Sequence, residues 1–364
     1  MRALGEKCAG ALFCLCMSVF AQLPAEAQPQ RRTIEVNTGE DWHHQHTGAT
    51  MPARLGGFDR QYIRDLTENE LDVFAQYKEV KARTRLTLFF YRAAVDNIPL
   101  WFDVANQSLR NNVDLLPGAS EYSSSTFTPP GQFNASGMMA VYATDGGDFK
   151  STGVAMLPLN GWIVKIRFTS AELTVAELAS TLVPILNAIP WPEKISSGPP
   201  ASKILPCKNR LKLVDKVGRI KPSMTDALIG GLMGIPADDE ADANADKAKP
   251  VIYCRDPQDF GQFSIYRADG TKRGYLMPLG DAGRAISVDR NEIGGLIDGS
   301  QGNRYTPVLM QLDRNIVFPD LNKLPEPGTL MAATGDDAAI SSVTTWPTSS
   351  GSTVTISVSP DEDQ

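Results

Sequence analysis

The 364 residues are 42% hydrophobic and 21% charged, enough apolar material to bury sizeable cores, and at roughly 100 to 200 residues per domain the length fits about two domains. Lys and Arg number 35 against 42 Asp and Glu, a net charge of −7 that removes the positive field on which nucleic-acid binding relies. A nucleic-acid partner is therefore not expected.

At the start of the chain Arg2 and Lys7 precede an uncharged stretch, 9–23, and Ala25-Glu26-Ala27 then offers the small-x-small pattern of a signal-peptidase site. Residues 1–27 are expected to be a signal peptide, and the mature protein to be periplasmic or secreted. No later stretch is apolar over the ~20 residues that a transmembrane helix needs. Cys8, Cys14 and Cys16 leave with the signal, so Cys207 and Cys254 are the pair expected to form a disulfide in an oxidising compartment. Neither lies in a C-x-x-C motif, and no histidine follows His46 to act as base for a catalytic thiol.

Residues 28–54 are polar and without periodicity, and are expected to form an arm. A first domain is expected over 55–195. Within it, 58–63, 72–78 and 86–92 alternate apolar and polar residues and predict a strand meander. Pro99, with Ile98, Phe102, Ala105 and Leu109 at helical spacing, predicts a helix with one apolar stripe. A Ser, Thr and Pro-rich stretch, 120–130, predicts a loop. Strands are expected over 138–144 and 149–159, and the type I′ signal Asn160-Gly161 then places a further strand over 162–169. Thr174 and Glu177 form a candidate capping box ahead of a second helix, with a kink expected at Pro184.

The composition of 196–200 is that of a linker. A second, β-rich domain is expected over 201–332. It starts with a basic stretch that includes Lys203, Lys208, Arg210, Lys212, Lys216, Arg219 and Lys221, expected to be a solvated face or a site for an acidic partner or envelope phosphates. A capped helix is expected over 223–233, a solvated acidic loop over 237–248, and strands over 260–267, 272–279, 284–289 and 305–312. The Ser and Thr-rich tail, 333–364, favours disorder, although 353–359 alternates strictly enough to add an edge strand. The fold class expected is α+β, with an antiparallel sheet packed by helices in the first domain.

Trp42-His43-His44-Gln45-His46-Thr47-Gly48, Gly56-Gly57-Phe58-Asp59-Arg60, Asp72-Val73-Phe74-Ala75-Gln76-Tyr77 and Gly161-Trp162-Ile163-Val164-Lys165-Ile166-Arg167 together resemble uncharacterised exported bacterial proteins. The order of strands and helices over residues 42–192 resembles PsbP-like domains. The resemblance implies an antiparallel sheet packed by helices, and a binding or assembly role of the kind most PsbP-like domains have.

The chemistry-bearing residues form two small groups. His43, His44 and His46, with Asp41 nearby, have the donor chemistry for zinc, copper or nickel, although H-H-x-H lacks the spacing of H-E-x-x-H; the other reading packs these rings on Trp42 to dock the arm. In the strand after Asn160-Gly161, Trp162, Val164, Ile166 and Phe168 share the core face. Lys165 and Arg167 then share the opposite face, where an anionic ligand or a neighbouring carboxylate could meet them. Gly118-Ala119-Ser120 and Gly299-Ser300-Gln301-Gly302 both fail the G-x-S-x-G pattern, and no carboxylate pair, Asp313 and Asp320 included, stands out by context. The function expected is a non-catalytic binding or assembly module with an envelope component as partner and no cofactor. The rival is a zinc or other metal-dependent hydrolase built on His43, His44 and His46.

Overall fold

The structure, a computed structural model, describes residues 32–79, 83–112, 116–224, 226–227, 250–292, 303–335, 339–346 and 353–356. The expected signal peptide, the acidic loop 237–248 and most of the helix expected over 223–233 lie outside these residues.

In chain order come β1 (Arg32–Ile34), β2 (Trp42–His43), β3 (Thr50–Met51), β4 (Arg54–Leu55), β5 (Phe58–Asp65), β6 (Asp72–Lys78), β7 (Thr84–Arg92) and helix α1 (Ile98–Arg110). They are followed by β8 (Ser120–Phe127), β9 (Gly137–Ala143), β10 (Ser151–Leu159), β11 (Trp162–Ser170) and α2 (Val175–Asn187). The second half holds β12 (Leu205–Pro206), β13 (Tyr253–Arg255), β14 (Tyr266–Ala268), β15 (Gly274–Pro278), β16 (Ala285–Arg290), β17 (Tyr305–Met310) and β18 (Arg314–Val317). Helix α3 (Pro327–Thr334), β19 (Ser341–Thr344) and β20 (Val354–Ile356) complete it.

Two nine-stranded sheets result. The first runs β1-β5-β6-β7-β11-β10-β9-β8 with β4 added on β5, antiparallel throughout. The second runs β12 to β20 in chain order and is antiparallel except where β12 joins β13. Asn160 (φ 50°) and Gly161 (φ 81°) take the positive φ that a type I′ turn demands, and they lock Leu159 opposite Trp162. Asn97 caps α1, its side chain accepting from the Leu100 N–H at 2.9 Å, and Thr174 and Glu177 complete the capping box of α2. Pro184 sits inside α2.

Both faces of the first sheet are covered. One face, with Val73, Ala75, Leu88, Phe90, Val164, Ile166 and Phe168, receives Leu178, Leu182, Ile185 and Leu186 of α2. The other, with Tyr91, Met138, Ala140, Val154, Met156 and Ile163, receives α1 through Trp101, Phe102 and Ala105, together with Tyr266, Leu276 and Ala285 of the second sheet. Every residue of β10 is consequently buried.

The α+β expectation is corrected by this architecture. The chain is mostly β, 39% strand against 14% helix over three helices among the described residues. The two helices anticipated in the first half exist, but a second sheet, rather than more helices, completes the cover of the inner face. Strands also occupy stretches expected to be irregular, among them β1 to β3 and the start of β4 in the expected arm. β8 falls in the Ser and Thr-rich 120–130, where an edge strand exposed on most of its length shows no apolar alternation. β19 and β20 extend the second sheet into the expected tail. The expected linker is held to the first half: Ser197 Oγ accepts from the Phe133 N–H at 2.6 Å, and the Gly198 carbonyl accepts from Asn134 at 2.9 Å.

Candidate functional site

The histidine segment is a short hairpin, β2 paired with β3, laid against the end of the first sheet. Trp42 stands opposite Met51 and His43 opposite Thr50, and the Asp41 carboxylate accepts the Ala53 N–H at 2.8 Å. His44 is fully buried. Its Nε2 donates to the Glu70 carbonyl at 2.9 Å, which leaves Nδ1 to accept from the Thr47 hydroxyl at 2.9 Å. Its ring packs edge-on to Trp162 at 4.9 Å and also meets Trp42 and Phe90. Burial lowers its pKa to about 4, with the neighbouring His46 pushing the same way and the Glu70 carbonyl pushing back.

The other two rings are engaged separately. His43 Nδ1 lies 2.7 Å from the Thr50 hydroxyl, whereas His46 Nε2 donates to the Asn69 carbonyl at 2.9 Å and its ring stacks on Trp162. Among the described residues no three His, Cys, Asp or Glu side chains are grouped so that they could hold a metal ion. The hairpin is thus seated on the sheet through His44, with Trp42 only half-buried beside it.

Lys165 and Arg167 form the second site, and strand register dictates its layout. Lys165 stands opposite Phe89, and Asp72 opposite Tyr91, all on the inner face. The sequence reading offered an anionic ligand or a neighbouring carboxylate on that face, and it is the face on which the second sheet packs. The Asp281-Ala282-Gly283 turn between β15 and β16 enters there. Lys165, 3% exposed, places Nζ 3.1 Å from Asp281 Oδ2 and 2.9 Å from the Asp281 carbonyl, above the Phe89 ring at 4.5 Å. Arg167 reaches the same carboxylate at 3.8 Å.

Electrostatics follow from this enclosure. Burial alone would raise the Asp281 pKa, but Lys165 and Arg167 together hold it below the usual carboxylate range. Asp72 is raised, because burial outweighs the Arg284 guanidinium 3.3 Å away. Among the described residues the buried Tyr91 hydroxyl finds no hydrogen-bond partner, and burial together with Asp281 and Asp72 pushes its pKa up. Arg92 completes the seam by donating to the Leu312 carbonyl and, at 2.9 Å, to that of Thr345.

Sequence reading places Asp72 at the start of a strand and Asp281 in a hairpin turn but gives neither a charged partner, and it gives no role to Arg284 or Arg92. One signal was available: two cations on a strand with a fully apolar opposite face need carboxylate partners if both faces are buried. A further polar seam ties α1 to the second sheet, where Arg255 pairs with Asp103 at 2.8 Å and Tyr266 donates to the same carboxylate at 2.8 Å.

Cys207 and Cys254 are joined, their Cα atoms 5.0 Å apart, and pin the chain after β12 to β13. The fully buried Arg267 lies beside the bond, its Nε 3.1 Å from Cys207 Sγ and 3.6 Å from Asp256. Among the described residues no helix is long and apolar enough to cross a membrane. Comparison with protein-family models and with curated proteins returns no match.

Proposed function

We propose that the chain is an exported envelope protein that acts as a non-catalytic binding or assembly module. The observation that carries this reading is where its chemistry-bearing side chains are directed. His44 spends both ring nitrogens on Thr47 and Glu70, and Lys165 and Arg167 are turned inward onto Asp281 between the two sheets. Such groups hold a scaffold together. The disulfide fits an oxidising compartment, and the resemblance of residues 42–192 to PsbP-like domains points to the same kind of role.

The test is to recover the protein from the periplasmic or secreted fraction, read its N-terminus, and measure bound metal and hydrolase activity. The same measurements are made on the triple variant His43→Ala, His44→Ala, His46→Ala. A mature N-terminus at Gln28 with no stoichiometric metal supports the proposal. Zinc at one equivalent, lost from the triple variant along with a hydrolytic activity, would overturn it.

A further inference from the structure

We infer that the outer edge of the second sheet is a docking strip for an anionic lipid surface. The strip is built by β12 and the chain that follows it, running parallel to β13 with Leu205 opposite Cys254. The Cys207 N–H donates to the Arg255 carbonyl at 2.7 Å, and the Leu211 N–H donates to the buried Asp256 at 3.0 Å, so residues 205–211 keep to this edge. The disulfide fixes the same stretch covalently.

What this edge presents is unusual for a protein of net charge −7. Lys208, Arg210 and Lys212 are exposed, and none of the described carboxylates forms an ion pair with them. Lys203 just upstream has Glu121 3.9 Å away, a loose surface contact. Leu205, between Lys203 and Lys208 in sequence, is a bare aliphatic side chain at 65% exposure, and Ile252, just ahead of β13, is another at 67%. Ile252 lies two residues before Cys254 and exchanges hydrogen bonds with Asp269, so it projects to the same face as Cys254 and Leu205. Exposed aliphatics flanked by Lys and Arg are what an interfacial membrane contact uses: the apolar tips enter the headgroup boundary while the cations meet lipid phosphates.

The same edge disfavours a peptide partner. Adding a strand to β12 would require main-chain donors, and Pro206, one of its two residues, has none. The lipid assignment deepens the binding-module proposal and rests on it for biological role, but the strip is tested by itself. Loss of vesicle binding removes the strip, whereas the binding-module reading stands or falls on the metal and activity measurements.

The experiment is co-sedimentation of the protein without residues 1–27 with vesicles of phosphatidylglycerol and phosphatidylethanolamine, or of phosphatidylcholine alone. Binding is expected only to the anionic vesicles, and should weaken as ionic strength rises from about 0.05 to about 0.5 M. The triple variant Lys208→Gln, Arg210→Gln, Lys212→Gln should weaken it by about a hundredfold, from roughly tenfold or less per charge. Leu205→Ser with Ile252→Ser should remove the part that survives high salt. Lys78→Gln, an exposed cation on the first sheet, should leave binding unchanged. These surface changes are expected to keep the unfolding midpoint, which verifies folding. Equal pelleting with phosphatidylcholine, no pelleting at all, or retention by the triple variant would each overturn the inference. So would soluble polyglutamate binding as tightly as the vesicles, since the strip would then serve an acidic polymer.

Discussion

At the residue scale, His44 and Lys165 show how burial converts ionisable groups into structural ones. The folded pKa of His44, about 4, lies below the value of 6.5 expected of an open chain, so the unfolded state binds the extra proton. Stability from this group is full above about pH 6.5 and is lost as the pH falls toward about 4, a total of about 3 kcal/mol. Urea midpoints that stay flat between about pH 7 and about pH 5, or an imidazole resonance of His44 titrating near 6.5, would contradict this assignment. Lys165 makes the complementary case. Replacing Asp281 by Ala leaves an enclosed ammonium with a carbonyl and two aromatic rings, and should cost up to about 3 to 5 kcal/mol; the exposed quarter of the Asp281 side chain lowers that toward the smaller figure. Lys165→Met together with Asp281→Ala should cost less than the sum of the two single changes, and an additive cycle in urea unfolding would show that the pair is not coupled.

At the element scale, turns fix which residues meet. Gly283, at φ 83°, ends the turn that carries Asp281, and its carbonyl accepts the Ala94 N–H at 2.8 Å. A Cβ there would sit 2.9 Å from the Arg92 carbonyl oxygen and 3.0 Å from Ala93 Cα, both backbone atoms that cannot rotate aside. Gly270, at φ 68°, faces open space and carries only the conformational requirement. Gly270→Ala is therefore expected to cost about 1 to 2 kcal/mol and Gly283→Ala distinctly more, as read from urea midpoints. Equal losses would mean that the turn does not press on β7. The contrast also marks what was legible in the sequence. Asn160-Gly161, the Thr174 and Glu177 box and the alternation of β6 and β7 are local signals, and the structure shows each of these elements where they place it. β8 was illegible as a strand because exposed edge residues need no apolar period, the alternation of 353–359 offered β20 only as an alternative to disorder, and Asp281 was illegible as the partner of Lys165 because 116 residues separate them.

At the scale of the whole molecule, the two halves anticipated as separate domains share buried surface. Tyr266, Leu276 and Ala285 of the second sheet sit in one apolar cluster with Trp101, Met156 and Ile163, and Lys165, Asp72 and Arg92 of the first half all find partners in the second. Cutting the chain after Glu193 would strip the part of that cover supplied by the second sheet, leaving Lys165 without its carboxylate and opening to water the inner-face surface that α1 does not cover. Exposed apolar surface of this kind costs roughly 25 cal/mol per Å², so a loss of a few hundred Å² of cover outweighs much of the marginal stability of a domain. The fragment 28–193 is therefore expected to unfold at a lower urea midpoint than the full chain and to bind a hydrophobic dye that the full chain does not. Asp281→Ala, which weakens the seam, should lower the full chain's midpoint toward that of the fragment. A fragment as stable as its counterpart within the intact chain, with no dye binding, would show instead that the first sheet and its two helices form a self-sufficient core on which the second sheet merely rests.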